Sequence, residues 1–134
     1  MADQTADLVY ELFCDDVRLE VGNKLSLMGV FQEIYVQQLP AVLNRFAIVT
    51  HWRGEGEYAM QVRILAPNRS EVASSQPARF QIPKDGYANN VTFFLNLQLT
   101  QDGAYTIQTI LNDKVLDEAT MFVGIVNQQQ GAVN

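Results

Sequence analysis

One cysteine and one histidine are all the thiol and imidazole that this 134-residue chain holds. A lone cysteine excludes an intrachain disulfide framework. One Cys and one His cannot build a structural zinc site, and no C-x-x-C or H-E-x-x-H spacing occurs. Basic residues are scarce as well. Nine Lys and Arg stand against fifteen Asp and Glu, a formal charge of −6, and the nine are spread singly along the chain. Nucleic-acid binders concentrate Lys and Arg on one face, so no nucleic-acid partner is expected. No apolar run approaches the ~18 residues of a membrane span. The opening "MADQTADLVYELF" has no basic n-region of a secretory signal. A cytoplasmic protein without a membrane partner is the expectation, and 134 residues suffice for one domain with its own core.

What the chain has in abundance is alternation. Period-two patterning runs from end to end, whereas helical periodicity is absent. In "VTFFLNLQLT", Val91, Phe93, Leu95, Leu97 and Leu99 fall on one face, with Phe94 as the exception on the polar one. The turns "QDG" and "NDK" then join that strand to "AYTIQTILN" and "VLDEATMFVGIV", which predicts a three-stranded meander. "FAIVTHW" and "EYAMQVRIL" alternate around "RGEG", with Tyr58, Met60, Val62 and Ile64 sharing a face. "LPAVLN", residues 39–44, is the longest unpatterned link. It reads as a crossover between sheets, with room for one helical turn. Eight or nine short strands predict an all-β fold: an antiparallel β-sandwich of immunoglobulin-like or C2-like type, with a small closed β-barrel as the alternative. The expected single domain spans 1–134, with 1–7 and 127–134 as flexible tails.

The opening hairpin can be registered. A three-residue loop "VGN" sets Glu20 opposite Lys24, Leu19 opposite Leu25, Arg18 opposite Ser26 and Val17 opposite Leu27, with Gly29 opposite Asp15. Leu8, Tyr10, Leu12 and Cys14 occupy even positions and Val17 and Leu19 odd ones, and both sets read as inward-facing. A β-bulge at Asp15-Asp16 accounts for that slip.

Chemistry is thin. Cys14 and His51 are the only possible nucleophile–base dyad, and the alternation of "FAIVTHWRG" turns His51 away from a core-facing Cys14. A small hydrolase using these two residues is one alternative function. The turn acids Asp85, Asp102 and Asp113 are the candidates for calcium, but they are divided between the two ends of the fold, and turn aspartates serve local hydrogen bonds. Glu55 and Glu57 imitate a glycosidase pair only in spacing. The glycine-containing turns match no phosphate-cradling loop, and there is no G-x-S-x-G elbow. Trp52 and Tyr58 offer a stacking face for a carbohydrate- or metal-binding accessory sandwich. Phe94 and Ile110 stand on otherwise polar faces of strands expected to pair, and they are the candidate patch for a protein partner or homo-oligomer.

"FCDDVRLEVGNKLSLMGVFQEIYVQQLP" resembles the N-terminal hairpin of a family of small uncharacterised bacterial proteins. Its pattern is F-C-D-x-V-R-x-E, a Gly/Lys turn, S-L-x-G-V-F and a Leu-Pro link. Cys14-Asp15, Val17-Arg18, Glu20, Lys24, Ser26-Leu27, Gly29-Val30-Phe31 and Leu39-Pro40 carry the match over about a fifth of the chain. "QLTQDGAYTIQTILNDKVLDEATMFV" resembles the closing strands of many sandwich domains. The resemblance implies a compact cytoplasmic β domain and brings no catalytic, cofactor-binding or metal residues. The expectation for function is a non-enzymatic module that makes protein contacts or self-assembles.

Overall fold

The computed structural model describes residues 5–126. It contains eight strands and, among those residues, no helix: β1 Ala6–Glu20, β2 Lys24–Phe31, β3 Glu33–Val36, β4 Ala41–Leu65, β5 Glu71–Ser74, β6 Ala78–Leu99, β7 Gly103–Leu111 and β8 Lys114–Ile125. β1 begins at Ala6, inside the stretch 1–7 expected as a tail, and the expected tail 127–134 lies outside the described residues.

Two long strands build the architecture. β4 and β6 run antiparallel, and both fold over together in the middle. Gly54 pairs with Gly86 and Gly56 with Ile82, so Pro83, Lys84 and Asp85 stand opposite Glu55 alone. Gly54 has φ +140°, and a Cβ there would collide with the Thr5 carbonyl. Only glycine serves at such a bend. "RGEG" therefore marks a bend within one strand and not a hairpin between two.

The bend makes two layers. In the first, β2, β1, the N-terminal half of β4 and the C-terminal half of β6 lie side by side. In the second, the N-terminal half of β6 and β5 flank the C-terminal half of β4, which pairs with β7, then β8, then β3 in parallel. Between the layers pack Phe46, Ile48 and Trp52 from one half of β4, and Tyr58, Met60, Val62 and Ile64 from the other. Phe13, Ala66, Ile82, Phe94, Leu97, Leu99, Tyr105, Ile107, Met121 and Val123 complete this core. Each large side chain buried there stabilises the fold by roughly 1.5–3 kcal/mol. The fold is the expected β-sandwich; the hydrogen-bonded path ends at β2 and β3, which do not pair to close a barrel.

Several local expectations hold. The β1–β2 register is the one derived from sequence, pair for pair from Val17↔Leu27 to Glu20↔Lys24. β7 and β8 form the hairpin around "NDK". Segment 37–40 does cross between the layers, from β3 in the second to β4 in the first, but β4 starts at Ala41 and no helical turn intervenes.

Two corrections follow from the registers. β6 pairs with β4 and not with β7, so "QDG" is a crossover between layers and the meander has only its second hairpin. Further, the slip near Asp15 inserts no residue. Cys14↔Val30 and Asp16↔Met28 keep one constant register, so both strands change face together, with Gly29 at φ +69° opposite Asp15. Val17, Leu25 and Leu27 accordingly pack against Cys14.

Candidate apolar interaction face

Cys14, Ala47 and Val49 form a second buried cluster, separate from the inter-layer core, with Val17, Leu25, Leu27 and Val91 against it. Its position follows from register. On β4 the even residues Phe46, Ile48 and Trp52 enter the core, so the odd residues Arg45, Ala47, Val49, His51 and Arg53 face outward. Their neighbours on β1 and β6 face outward with them. One row reads Val30, Cys14, Ala47, Phe93 across β2, β1, β4 and β6. The next reads Leu12, Val49, Val91, and the one beyond it Tyr10, His51, Asn89.

This outer face is apolar and half open to solvent. Val30 is 54% exposed, Leu95 66%, Tyr87 52%, and Tyr10, Leu12 and Phe93 about two-fifths each. The Tyr10 and His51 rings stack at 4.9 Å with planes 3° apart, and the Tyr87 ring lies 5.3 Å from His51. His51 Nδ1 shares a 2.6 Å hydrogen bond with Asn89 Oδ1. Its two ion-pairing groups neutralise each other: Arg45 lies 3.1 Å from Asp16 Oδ1 and 4.5 Å above the Phe93 ring.

The outer face of the second layer contrasts with it. Arg63 pairs with Glu71 at 3.0 Å and Arg69 with Glu118 at 3.2 Å. Gln108 donates to Glu118 at 2.7 Å and accepts from Arg63 at 3.3 Å. Hydrogen bonds from Gln108 and Arg69 hold the Glu118 carboxyl below its usual range. That polar lattice is what a solvated sheet face ordinarily carries. Its exposed aromatics gather at the β3–β8 edge, where Tyr35 lies over Gly124 beside Phe122 and donates to Glu33 at 2.7 Å.

The residues singled out from sequence are redistributed. Cys14 and His51 share one face rather than opposite ones, but Cys14 is level with Ala47, four residues from His51. That separation is roughly 13 Å along the strand, beyond hydrogen-bond reach. Cys14 has no solvent exposure, and burial first, then the Asp15 carboxylate, push its thiol pKa up. Trp52 and Tyr58 lie in the core, the former donating its indole N–H to Thr50 Oγ1 at 2.9 Å, so they form no stacking face. Phe94 and Ile110 are both buried and on different layers. Phe94 stacks on Phe46 at 5.5 Å inside the core, and Ile110 sits between Gln61 and Val115, so they make no common patch. Asp85 and Asp113 adopt left-handed turn conformations, and among the described residues no three His, Cys, Asp or Glu gather as a metal site. Glu55 and Glu57 line a shallow cleft of about 490 Å³ with Gln81, Ile82 and Lys84 at the bend.

The sequence does not mark Tyr10, Leu12, Val30, Tyr87, Phe93 and Leu95 as a surface: the alternation of Tyr10 and Leu12 and of Phe93 and Leu95 reads as a core face, and Val30 and Tyr87 carry no comparable signal.

Residues 9–124 match the family of unknown function DUF6941, and the chain belongs to that family. No curated protein matches it. Among solved structures it resembles a β-glucosidase from Listeria innocua in complex with glucose, at 7% identity and TM-score 0.55 over 90% of this chain. It also resembles the alkylpurine DNA glycosylase AlkC of Pseudomonas fluorescens, at 8% identity and TM-score 0.51 over 69% of this chain. An immunoglobulin-like protein from Pseudomonas aeruginosa aligns over 89% of this chain and 96% of its own, at 12% identity and TM-score 0.49. The chain spans only 16% of the β-glucosidase and 28% of the glycosylase, so these are likenesses of fold alone. No helix among the described residues is long and apolar enough to cross a membrane.

Proposed function

We propose that this member of the DUF6941 family is a non-enzymatic β-sandwich module whose outer β2–β1–β4–β6 face binds protein. The observation that supports this reading is the contrast between the two outer faces. One carries ion pairs and amides around Arg63, Arg69, Gln108 and Glu118, with Tyr35 and Phe122 exposed only at its β3–β8 edge, while the other exposes Tyr10, Leu12, Val30, Tyr87, Phe93 and Leu95 in adjoining rows. Contiguous apolar surface of this kind marks contact sites, whereas scattered single residues do not. A protein surface fits the face better than a nucleic acid, because its two arginines are offset by Asp7 and Asp16 in the same rows. A bacterial cytoplasmic setting is part of the same proposal, supported by the resemblance of the N-terminal hairpin.

A photo-cross-linking residue at Leu95 or Val30, introduced one at a time in the producing cell, tests the reading against a control at Thr120 on the other layer. Protein adducts from the first two positions and none from Thr120 are expected. Equal labelling from all three would remove the proposal. A second reading rests on the half-exposed Tyr10–His51–Tyr87 rings, which could stack on a sugar. It predicts glycan binding that is lost in Tyr87→Ala and an absence of protein adducts.

A further inference from the structure

We infer that the occupant of this face is a second copy of the same chain, docked about a two-fold axis that runs along the strands between β1 and β4. The inference rests on the proposed contact role of the face and adds the partner's identity and geometry.

Size permits it. With strands ~4.8 Å apart and residues ~3.3 Å apart, β1, β4 and β6 over the nine rows from Arg45 to Arg53, with β2 beside the four rows from Arg45 to Ile48, project roughly 490 Å². Side-chain relief raises the accessible area above that projection, towards the ~800 Å² per partner of a standard interface. Two sheets packed face to face with aligned strands, ~30° apart, are the ordinary way to bury such a surface.

Charge selects the partner and the axis. The chain carries −6 overall, so two copies repel except where the surface is locally neutral. On this face the charges balance: Asp7 stands opposite Arg53 in the strand register at one end, and Asp16 is bridged to Arg45 at the other. An isologous contact must superpose the face on itself. About an axis along the strands, each row is reversed onto its own copy. Asp7 then meets the partner's Arg53, and Asp16 the partner's Arg45. Tyr10 meets the partner's His51, and Val30 of β2 meets the partner's Phe93 of β6. About the other in-plane axis, across the strands, Asp7 would lie over Asp16 and Arg53 over Arg45. Like charges would face each other at both ends, and that arrangement is rejected.

The pairing of Val30 with the partner's Phe93 makes the geometry testable, because within one chain these positions are three strands, about 14 Å, apart. Both are substantially exposed, so charged substitutions are compatible with folding, which the emission of the buried Trp52 monitors. Sedimentation velocity on the full chain should give wild type at twice the 15.1 kDa chain mass. Val30→Lys alone and Phe93→Glu alone should each associate at least about a hundredfold more weakly, since each buries an unpaired charge against an apolar partner. Mixed in equal amounts they should form the dimer again, Lys against Glu. Leu95→Glu, at the most exposed apolar position among these rows, is the substitute should either variant fail to fold. Wild type that stays monomeric up to millimolar concentration overturns the dimer, and the cross-linking from Leu95 and Val30 then separately decides whether the face binds another protein. Single variants that dimerise like wild type overturn the choice of face. A mixture that stays monomeric overturns the axis.

Discussion

Thr109 donates its hydroxyl to Glu11 Oε2 at 2.6 Å, from β7 of one layer to β1 of the other. Glu11 stands beside Thr50 on the core-facing side of β1, with Thr109 fully buried, and its Oε1 has no partner. Burial raises the Glu11 pKa from 4.5, the Thr109 hydrogen bond opposes that shift, and the Asp117 carboxylate adds to it.

The consequence for stability has a definite sign. In the window above the ordinary carboxylate pKa and below the raised one, the folded chain holds a proton that the unfolded chain has lost. Stability therefore falls as pH rises through that window. Glu11→Gln removes the ionisation, keeps the shape and can still accept from Thr109. It should gain about 1 kcal/mol at neutral pH and show little or no advantage in mild acid. Urea denaturation across that range measures both; a variant less stable than wild type at neutral pH would contradict the assignment.

Cys14 gives a kinetic expectation. With no solvent exposure and a thiol pKa raised by burial and by Asp15, the thiolate that attacks alkylating reagents is scarce and shielded. Native protein should resist iodoacetamide at neutral pH and react stoichiometrically in denaturant. Rapid modification of the folded chain would revive an activated cysteine and count against a structural one.

Legibility from sequence divided along a physical line. The β1–β2 register was readable because an opposite-charge pair, Glu20 with Lys24, and apolar pairs on the other side agreed on one alignment. The Tyr58–Ile64 face was readable because its partners on the far side, Ala59, Gln61 and Arg63, are small or polar. β6 failed for the opposite reason. Val91, Phe93 and Leu95 alternate like core residues and face outward, while Phe94, the apparent exception, is in the core with Leu97 and Leu99. A strand apolar on both sides carries no sign telling inside from outside. Asn96, at φ +55°, shifts the parity between Phe94 and Leu97. In β1 the irregularity between Leu8 and Tyr10 does the same, so Leu8 packs with the core while Tyr10, Leu12 and Cys14 turn outward. An apolar outer face is thus hardest to see in the pattern that ordinarily reveals a core.

The glycine at the hairpin kink is a local test of the fold. Gly29 has φ +69°, and a Cβ there would run into the Asp15 carboxylate. Gly29→Ala therefore combines left-handed strain with a steric clash, for a loss of about 1–2 kcal/mol. Asp15→Ala in the same chain should relieve the clash and leave the strain, which a thermodynamic cycle separates. Full additivity would mean that the two residues do not meet.

Trp52 supplies the last test, because the chain's single tryptophan reports on its own environment. Its indole N–H donates to Thr50 Oγ1 at 2.9 Å, and that hydroxyl points onward to Met60 Sδ at 3.5 Å across the core. Both Trp52 and Thr50 are fully buried. Thr50→Val keeps the side-chain shape but takes away the acceptor, stranding the N–H away from water. The expected cost is about 1–3 kcal/mol. Thr50→Ser keeps the hydroxyl and loses one methyl, so it should cost about 1 kcal/mol through packing alone. The two variants also differ in emission: losing the hydrogen bond should shift the Trp52 maximum to the blue, while Thr50→Ser leaves it in place. If the valine variant matched the serine one in both stability and emission, the hydroxyl would be filling space rather than satisfying the indole, and the polar thread through the core would have no energetic role.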